Sequence, residues 1–328
     1  LIYFLEALYK EKNIEKFETL LREVINSPYI ENDIHHAYAY IFLASHLNEL
    51  NPEKAEDILR NALIEMEYNS VDSNSLLWSI DLVITTLLNL YNSNGKIYKV
   101  EKLTKEFLSD TIRDTTTYLT NNMLSCELIR SLQTQFRYKE ALTHFENCYK
   151  FTEDLGTIES YRLNYRLMEI ILLAKSGQKN ESNLKYQEIQ KDLENYYNFE
   201  QTQEKITILA LQASAEFYLE NYKTSLNIYQ QLENYFRENK SDIGTSTLLY
   251  AEDYIKALIS NNETKKALDI ANELLEIALN NSSVDQFILK KNLFYSFNET
   301  YLNLLFMTQP KEYLEQSLLI SQITKNSE

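Results

Sequence analysis

Residues Phe136 to Phe151 read FRYKEALTHFENCYKF, and the spacing inside this stretch decides the fold. Tyr138 is followed three residues later by Ala141, four later by Phe145 and three later by Cys148. Steps of three and four place all four side chains on one face of an α-helix. Upstream lies a second amphipathic stretch, so the segment reads as the second helix of a hairpin.

The same pattern recurs. Pro52–Ala55–Leu59–Ala62, Lys179–Ser182–Tyr186–Ile189, Tyr222–Ser225–Tyr229–Leu232 and Thr264–Ala267–Ala271–Leu274 repeat it. Weaker copies are Ile14–Phe17–Leu21–Val24 and Ile97–Val100–Thr104–Phe107, and a degraded one is Pro310–Tyr313–Ser317–Ile320. The second residue of each copy marks steps of 38, 45, 41, 41, 43, 42 and 46 residues along the chain. About 20 residues of helical pattern precede each marker, as in SYRLNYRLMEIILLAKSG before Ser182. A fixed period of this length is the mark of stacked helical hairpins. The expected fold is all-α: a right-handed α-α superhelix of about eight hairpins, forming a single solenoid over residues 1–328.

Composition agrees. The chain has 328 residues with 4 Gly and 3 Pro, where average usage would give about 39 of the two together. A chain so poor in turn-formers suits long helices and short loops, not sandwiches, barrels or doubly wound sheets. All seven fall at proposed joints. Gly95 and Gly177 lie in turns within hairpins, Gly156 and Gly244 between them, and Pro28 after a second helix. Pro52 and Pro310 occupy first-turn positions, where a missing N–H costs nothing. Asn51, Asp72, Asp114, Thr157, Ser241 and Ser283 are N-cap candidates.

Several functions are disfavoured. The net charge of −16 makes phosphate contacts with nucleic acid a poor fit and favours basic or neutral partners. No apolar run approaches the roughly 20 residues of a membrane span, and the N-terminal stretch lacks a signal peptide's basic region. Two cysteines argue against a disulfide framework and suit a reducing cytosol. His35 and His36 point to different sides of a helix, and no metal-ligand spacing involves His46 or His144. Four scattered glycines cannot cradle a phosphate. Neither a cofactor nor an enzyme is expected.

The small–large–small spacing of Ala141, Phe145 and Cys148, and of Ala55, Leu59 and Ala62, resembles the tetratricopeptide repeat (TPR). Ala44 and Ala213 keep a small residue near that repeat's first-helix Gly position. Elongated, degenerate repeats of about 40 residues are similar to those of the peptide-pheromone sensors of Gram-positive bacteria, the Rap, NprR, PlcR, PrgX and Rgg type. That resemblance implies a cytoplasmic transcriptional regulator, with a short signalling peptide held in the concave groove by first-helix Asn side chains. It also implies a helix-turn-helix domain ahead of Leu1, through which any contact with DNA would run. A TPR scaffold or adaptor binding a partner protein, and a Rap-like inhibitor of a response regulator, are alternatives.

In a TPR superhelix the first helices line the groove. Counting back from each marker gives Tyr40, Asn48, Thr85, Asn89, Glu127, Arg130, Gln133, Asn164, Met168, Ser214, Tyr218, Glu252, Asp253, Lys256 and Asn298 as the peptide-binding set. An Asn amide offers donor and acceptor together and can hold one peptide unit. Arg130 could fork onto a carboxylate, and Glu252 with Asp253 could hold a basic side chain. A solvated helix face is the plainer reading of each. The final hairpin carries Phe294, Tyr295, Phe297, Tyr301, Leu304, Leu305 and Phe306, which read either as burial under the last helix or as a homodimer contact.

Overall fold

The structure, a computed structural model, describes residues 14–26, 34–48, 51–68, 74–109, 118–154, 159–197, 203–238, 251–280 and 300–325. Asn298, Phe294, Tyr295, Phe297, Pro28, Gly156, Gly244 and every N-cap candidate but Asn51 lie outside them. Among the described residues all regular structure is helical. The chain divides into two compact units, 1–128 and 129–328.

The helices run in pairs. They are α1 (Ile14–Ile25), α2 (Ile34–Asn48), α3 (Pro52–Tyr68), α4 (Asn74–Ser93), α5 (Ile97–Ser109) and α6 (Tyr118–Thr134). There follow α7 (Tyr138–Thr143), α8 (Phe145–Asp154), α9 (Glu159–Lys175), α10 (Lys179–Tyr197), α11 (Gln203–Tyr218), α12 (Tyr222–Glu238), α13 (Ala251–Ser260) and α14 (Thr264–Asn280). Helical residues 300–308 and α15 (Pro310–Lys325) end the series. The quoted stretch departs from a single helix: it breaks at His144, where the backbone tightens into an i→i+3 bond to Ala141.

The repeat positions form the cores. Ala55, Ala141, Ser182, Ser225 and Ala267 are fully buried, and Val100 nearly so. In 1–128 the markers pack with Leu43, Leu59, Leu87 and Tyr91. In 129–328 one cluster joins Leu163, Leu167, Ile170, Tyr186 and Ile189, and another joins Ala213, Tyr229, Ile255, Leu258 and Tyr301. Ser182 Oγ donates to the Ile170 carbonyl at 2.7 Å, and Ser225 Oγ to that of Ala213 at 2.8 Å. These bonds pin each second helix to its own first helix, twelve residues back.

The turns inside hairpins share one geometry. Gly95, Phe136, Gly177, Glu220 and Asn262 all have positive φ, between 54° and 87°. Each lies five residues before its marker. Around each, the next residue's N–H reaches the carbonyl five back, as in Lys96 to Tyr91, Arg137 to Leu132 and Asn221 to Glu216. This is the left-handed helix stop, which satisfies the last carbonyls of the first helix. The turns are thus more demanding than a scarcity of glycine suggests. At Phe136, Glu220 and Asn262 a residue with a Cβ adopts a conformation that favours Gly. Asn51 Oδ1 accepts the N–H of Lys54 at 3.0 Å, capping α3 as expected.

Both cysteines, Cys126 and Cys148, are disulfide-bonded and neither is a free thiol, which corrects the expectation of reduced residues. A low cysteine count argues against a framework of several bridges, but it does not leave a thiol reduced. Among the described residues no helix is long and apolar enough to cross a membrane.

Candidate functional site

In residues 129–328, three consecutive first helices bring a mostly polar set of residues to one face. Asn164, Met168 and Lys175 recur along α9, Ser214 and Tyr218 along α11, and Glu252, Asp253 and Lys256 along α13. Lys175 lies seven residues before Ser182, and Tyr218 lies seven before Ser225, so the two occupy one position in successive repeats.

Around Asp253 the hydroxyl groups are fixed in direction. Ser214 Oγ donates to Asp253 Oδ2 at 2.8 Å, and Tyr218 Oη to Oδ1 at 2.7 Å. Ser214 Oγ also lies 2.7 Å from Tyr229 Oη. A hydroxyl has one proton to give, so Tyr229 donates to Ser214, which donates to Asp253. The Tyr229 ring stacks on Tyr254, with centroids 5.2 Å apart. Lys256 Nζ pairs with Glu252 on the same helix.

Lys175 stands beside this network with its ammonium 4.3 Å from the ring centroid of Tyr218 and 5.5 Å from that of Tyr138. Among the described residues it makes no hydrogen bond and no ion pair. Burial pulls its pKa below the ordinary lysine value, opposed in part by the charges of Asp253 and Glu252. Burial pushes the Tyr218 hydroxyl upward, and the charge and hydrogen bond of Asp253 push the same way. Tyr138 is raised by burial and then by Glu252 and Asp253. The result is a cation held between two aromatic rings with two carboxylates nearby.

The other residues expected on the groove are placed as follows. Arg130 is exposed, and Gln133, Asn164 and Met168 are half-buried. In 1–128, Asn48 accepts from Asn94 Nδ2 at 2.8 Å, and Glu127 accepts from Asn92 Nδ2 at 3.0 Å. Thr85 Oγ1 turns back to the Asp81 carbonyl at 2.7 Å, while Asn89 is exposed. Tyr40 is not on an open face. It is buried, and its hydroxyl donates to Glu65 of α3. Ser214 is also buried, reaching the face only through Asp253. Tyr138 is absent from the expected set, and Lys175, a groove-facing lysine, is not among its peptide contacts. The repeat register shared with Tyr218 marks Lys175. No sequence signal marks Tyr138, which enters from the start of a second helix.

No family model matches the chain, and no curated protein matches it. Among solved structures, the crystal structure of a single-residue variant of nearly identical TPR-like repeats, from a Podosopora anserina protein described as kinesin light chain, is similar at 12% identity and a TM-score of 0.50. That match covers 63% of this chain and 97% of the other. A further crystal structure of those repeats matches at 12% identity and a TM-score of 0.48, over 64% of this chain and 98% of the other. With helical hairpins closed by the same turn and buried at the same repeat positions, the chain has a TPR-like repeat fold.

Proposed function

We propose that the chain is a non-catalytic binding module, taking an extended peptide along the first-helix face of residues 129–328. The peptide is either a short signalling oligopeptide or a segment of a partner protein. The observation that carries this reading is the convergence of Lys175, Tyr218, Asp253, Glu252 and Lys256 from three first helices onto one face. An extended backbone needs donors and acceptors spaced along such a face, and Asn164 on α9 supplies one of each.

In the sensor form of this reading, ligand occupancy acts on a DNA-binding domain ahead of Leu1 and on a homodimer formed through the C-terminal hairpin. Phe306, Met307, Leu314 and Leu318 favour the dimer, because all four are between 59% and 66% exposed. Disulfides persist in oxidising compartments, so the state of Cys126 and Cys148 separates the peptide reading from its cytosolic form.

An array of random decapeptides probed with the labelled full chain tests the proposal. Retained peptides should lose about tenfold in affinity on Asp253→Ala or Tyr218→Ala, as removal of one central contact does at a binding hot spot. An array that retains nothing overturns it.

A further inference from the structure

We infer that the Tyr138–Tyr218 cage is a receptor for a basic side chain of the bound peptide, and that Lys175 fills it as an internal stand-in until the peptide displaces it. The inference rests on the peptide-binding reading above and names the chemistry of the ligand.

Two aromatic faces with carboxylates behind them are what an ammonium or guanidinium seeks. The cage has both, from Tyr138, Tyr218, Glu252 and Asp253. Setting Lys175 aside, it holds two carboxylates against the one cation of Lys256. An incoming acidic group would meet both carboxylates, whereas a basic group would meet the complement of its charge. The net charge of −16 works in the same direction, drawing basic peptides toward the chain.

Lys175 fills the cage poorly. Its ammonium carries three donors, yet among the described residues none finds an acceptor. Asp253 is near enough to act on it electrostatically, but the carboxylate oxygens are oriented by Ser214, Tyr218 and Lys256, and none bonds Lys175 Nζ. Lys175 is therefore held by the ring attraction without a hydrogen bond to a described protein group. Burial weakens its hold further by depressing its affinity for the proton. A peptide Arg would stack on the same rings with a planar fork that can also donate to Glu252. Lys175, at the last turn of α9, has four methylene groups on which to swing clear.

Two measurements on the full chain test this, using the decapeptides retained by the array. In the first, lysines are acetylated with an amine-reactive ester and read by mass spectrometry with and without peptide. Displacement predicts severalfold faster labelling of Lys175 when an Arg-bearing peptide binds. Slower labelling would make Lys175 an anchor for an acidic ligand and overturn the inference. In the second, Lys175→Met should tighten Arg-bearing peptides by about tenfold, since the competing cation is gone. Replacing the peptide Arg by norleucine should abolish that gain. Melting temperature reports whether the variant folds, and the labelling result stands without it. Retained peptides lacking any basic residue would overturn the cage assignment and leave the peptide face intact. An array that retains nothing would remove both.

Discussion

Ser182 Oγ lies 2.7 Å from the carbonyl oxygen of Ile170 and donates to it from a fully buried position. The Ile170 carbonyl is in mid-helix and already accepts its own helical bond, so the serine adds a second donor to a satisfied acceptor. Removing it strands no partner. Ser182→Ala should therefore cost only about 1 kcal/mol. Ser182→Leu should cost about 3 kcal/mol, because the marker position has no room for three more carbons. Urea denaturation of the two variants checks the contrast, and equal losses would mean that packing does not limit this position.

The left-handed turns give opposite outcomes for opposite substitutions. Phe136 has φ of 60° and is 73% exposed, touching Tyr138 only edge-on at 6.2 Å. Phe136→Gly should stabilise the chain by up to about 1 kcal/mol, the release of left-handed strain less the entropy of glycine. Gly177, at φ of 87°, has open space where a Cβ would go. Gly177→Ala should still cost about 1 kcal/mol, through backbone conformation alone. Thermal melts that move in the same direction for both would refute this account.

Glu56 makes stability depend on pH. Its carboxylate is buried in 1–128, where it bonds Lys99 at 2.6 Å and accepts from Tyr91 at 2.9 Å, with Lys96 at 3.6 Å and Arg60 at 3.4 Å. Burial pushes its pKa up. The bonds from Lys99 and Tyr91 and the charges of Lys99 and Lys96 outweigh that and leave it lowered. A lowered folded-state pKa means that the unfolded chain takes the proton first as pH falls. The stabilisation is whole above the ordinary glutamate value of about 4.3 and disappears as pH drops through the lowered one. Glu56→Gln should destabilise by about 2 kcal/mol at pH 7 and by progressively less in acid. Melting curves from pH 7 down to pH 3 test it, and a pH-independent difference would exclude Glu56 as the titrating group.

Tyr186 holds another buried carboxylate, that of Glu216. Its hydroxyl donates to Glu216 at 2.6 Å, and Asn221 Nδ2 supplies a second bond at 2.7 Å. Tyr186→Phe keeps the ring in its core position but takes one donor from a buried charge. The expected loss is about 2 kcal/mol. The double variant Tyr186→Phe with Glu216→Gln should recover part of it, because a neutral amide needs less from its surroundings. A double-mutant cycle without coupling would show that the pair does not interact energetically.

Residue pattern alone is enough to fix the hairpin and its period. A face of small and large residues at steps of three and four can be buried in only one way. The positions read as core, from Ala55 through Ser182 and Ser225 to Ala267, are therefore fully buried. Gly95 and Gly177 announced their turns because glycine alone adopts a left-handed φ without cost. Asn262 adopts it too, as Asn does more readily than other residues with a Cβ, whereas nothing in the chemistry of Phe136 or Glu220 says so. Closure of the hairpin imposes it on them. Tyr40, expected on the face, is buried, because an offset counted from a marker does not register which way a ring turns, and its hydroxyl meets Glu65 within the hairpin. The cage exists only through the packing of successive hairpins. Tyr138, Lys175, Tyr218 and Asp253 are spread over more than a hundred residues and come from separate hairpins. Periodicity fixes which side of each helix faces its partner. Only the packing of successive hairpins fixes which side chains meet across them.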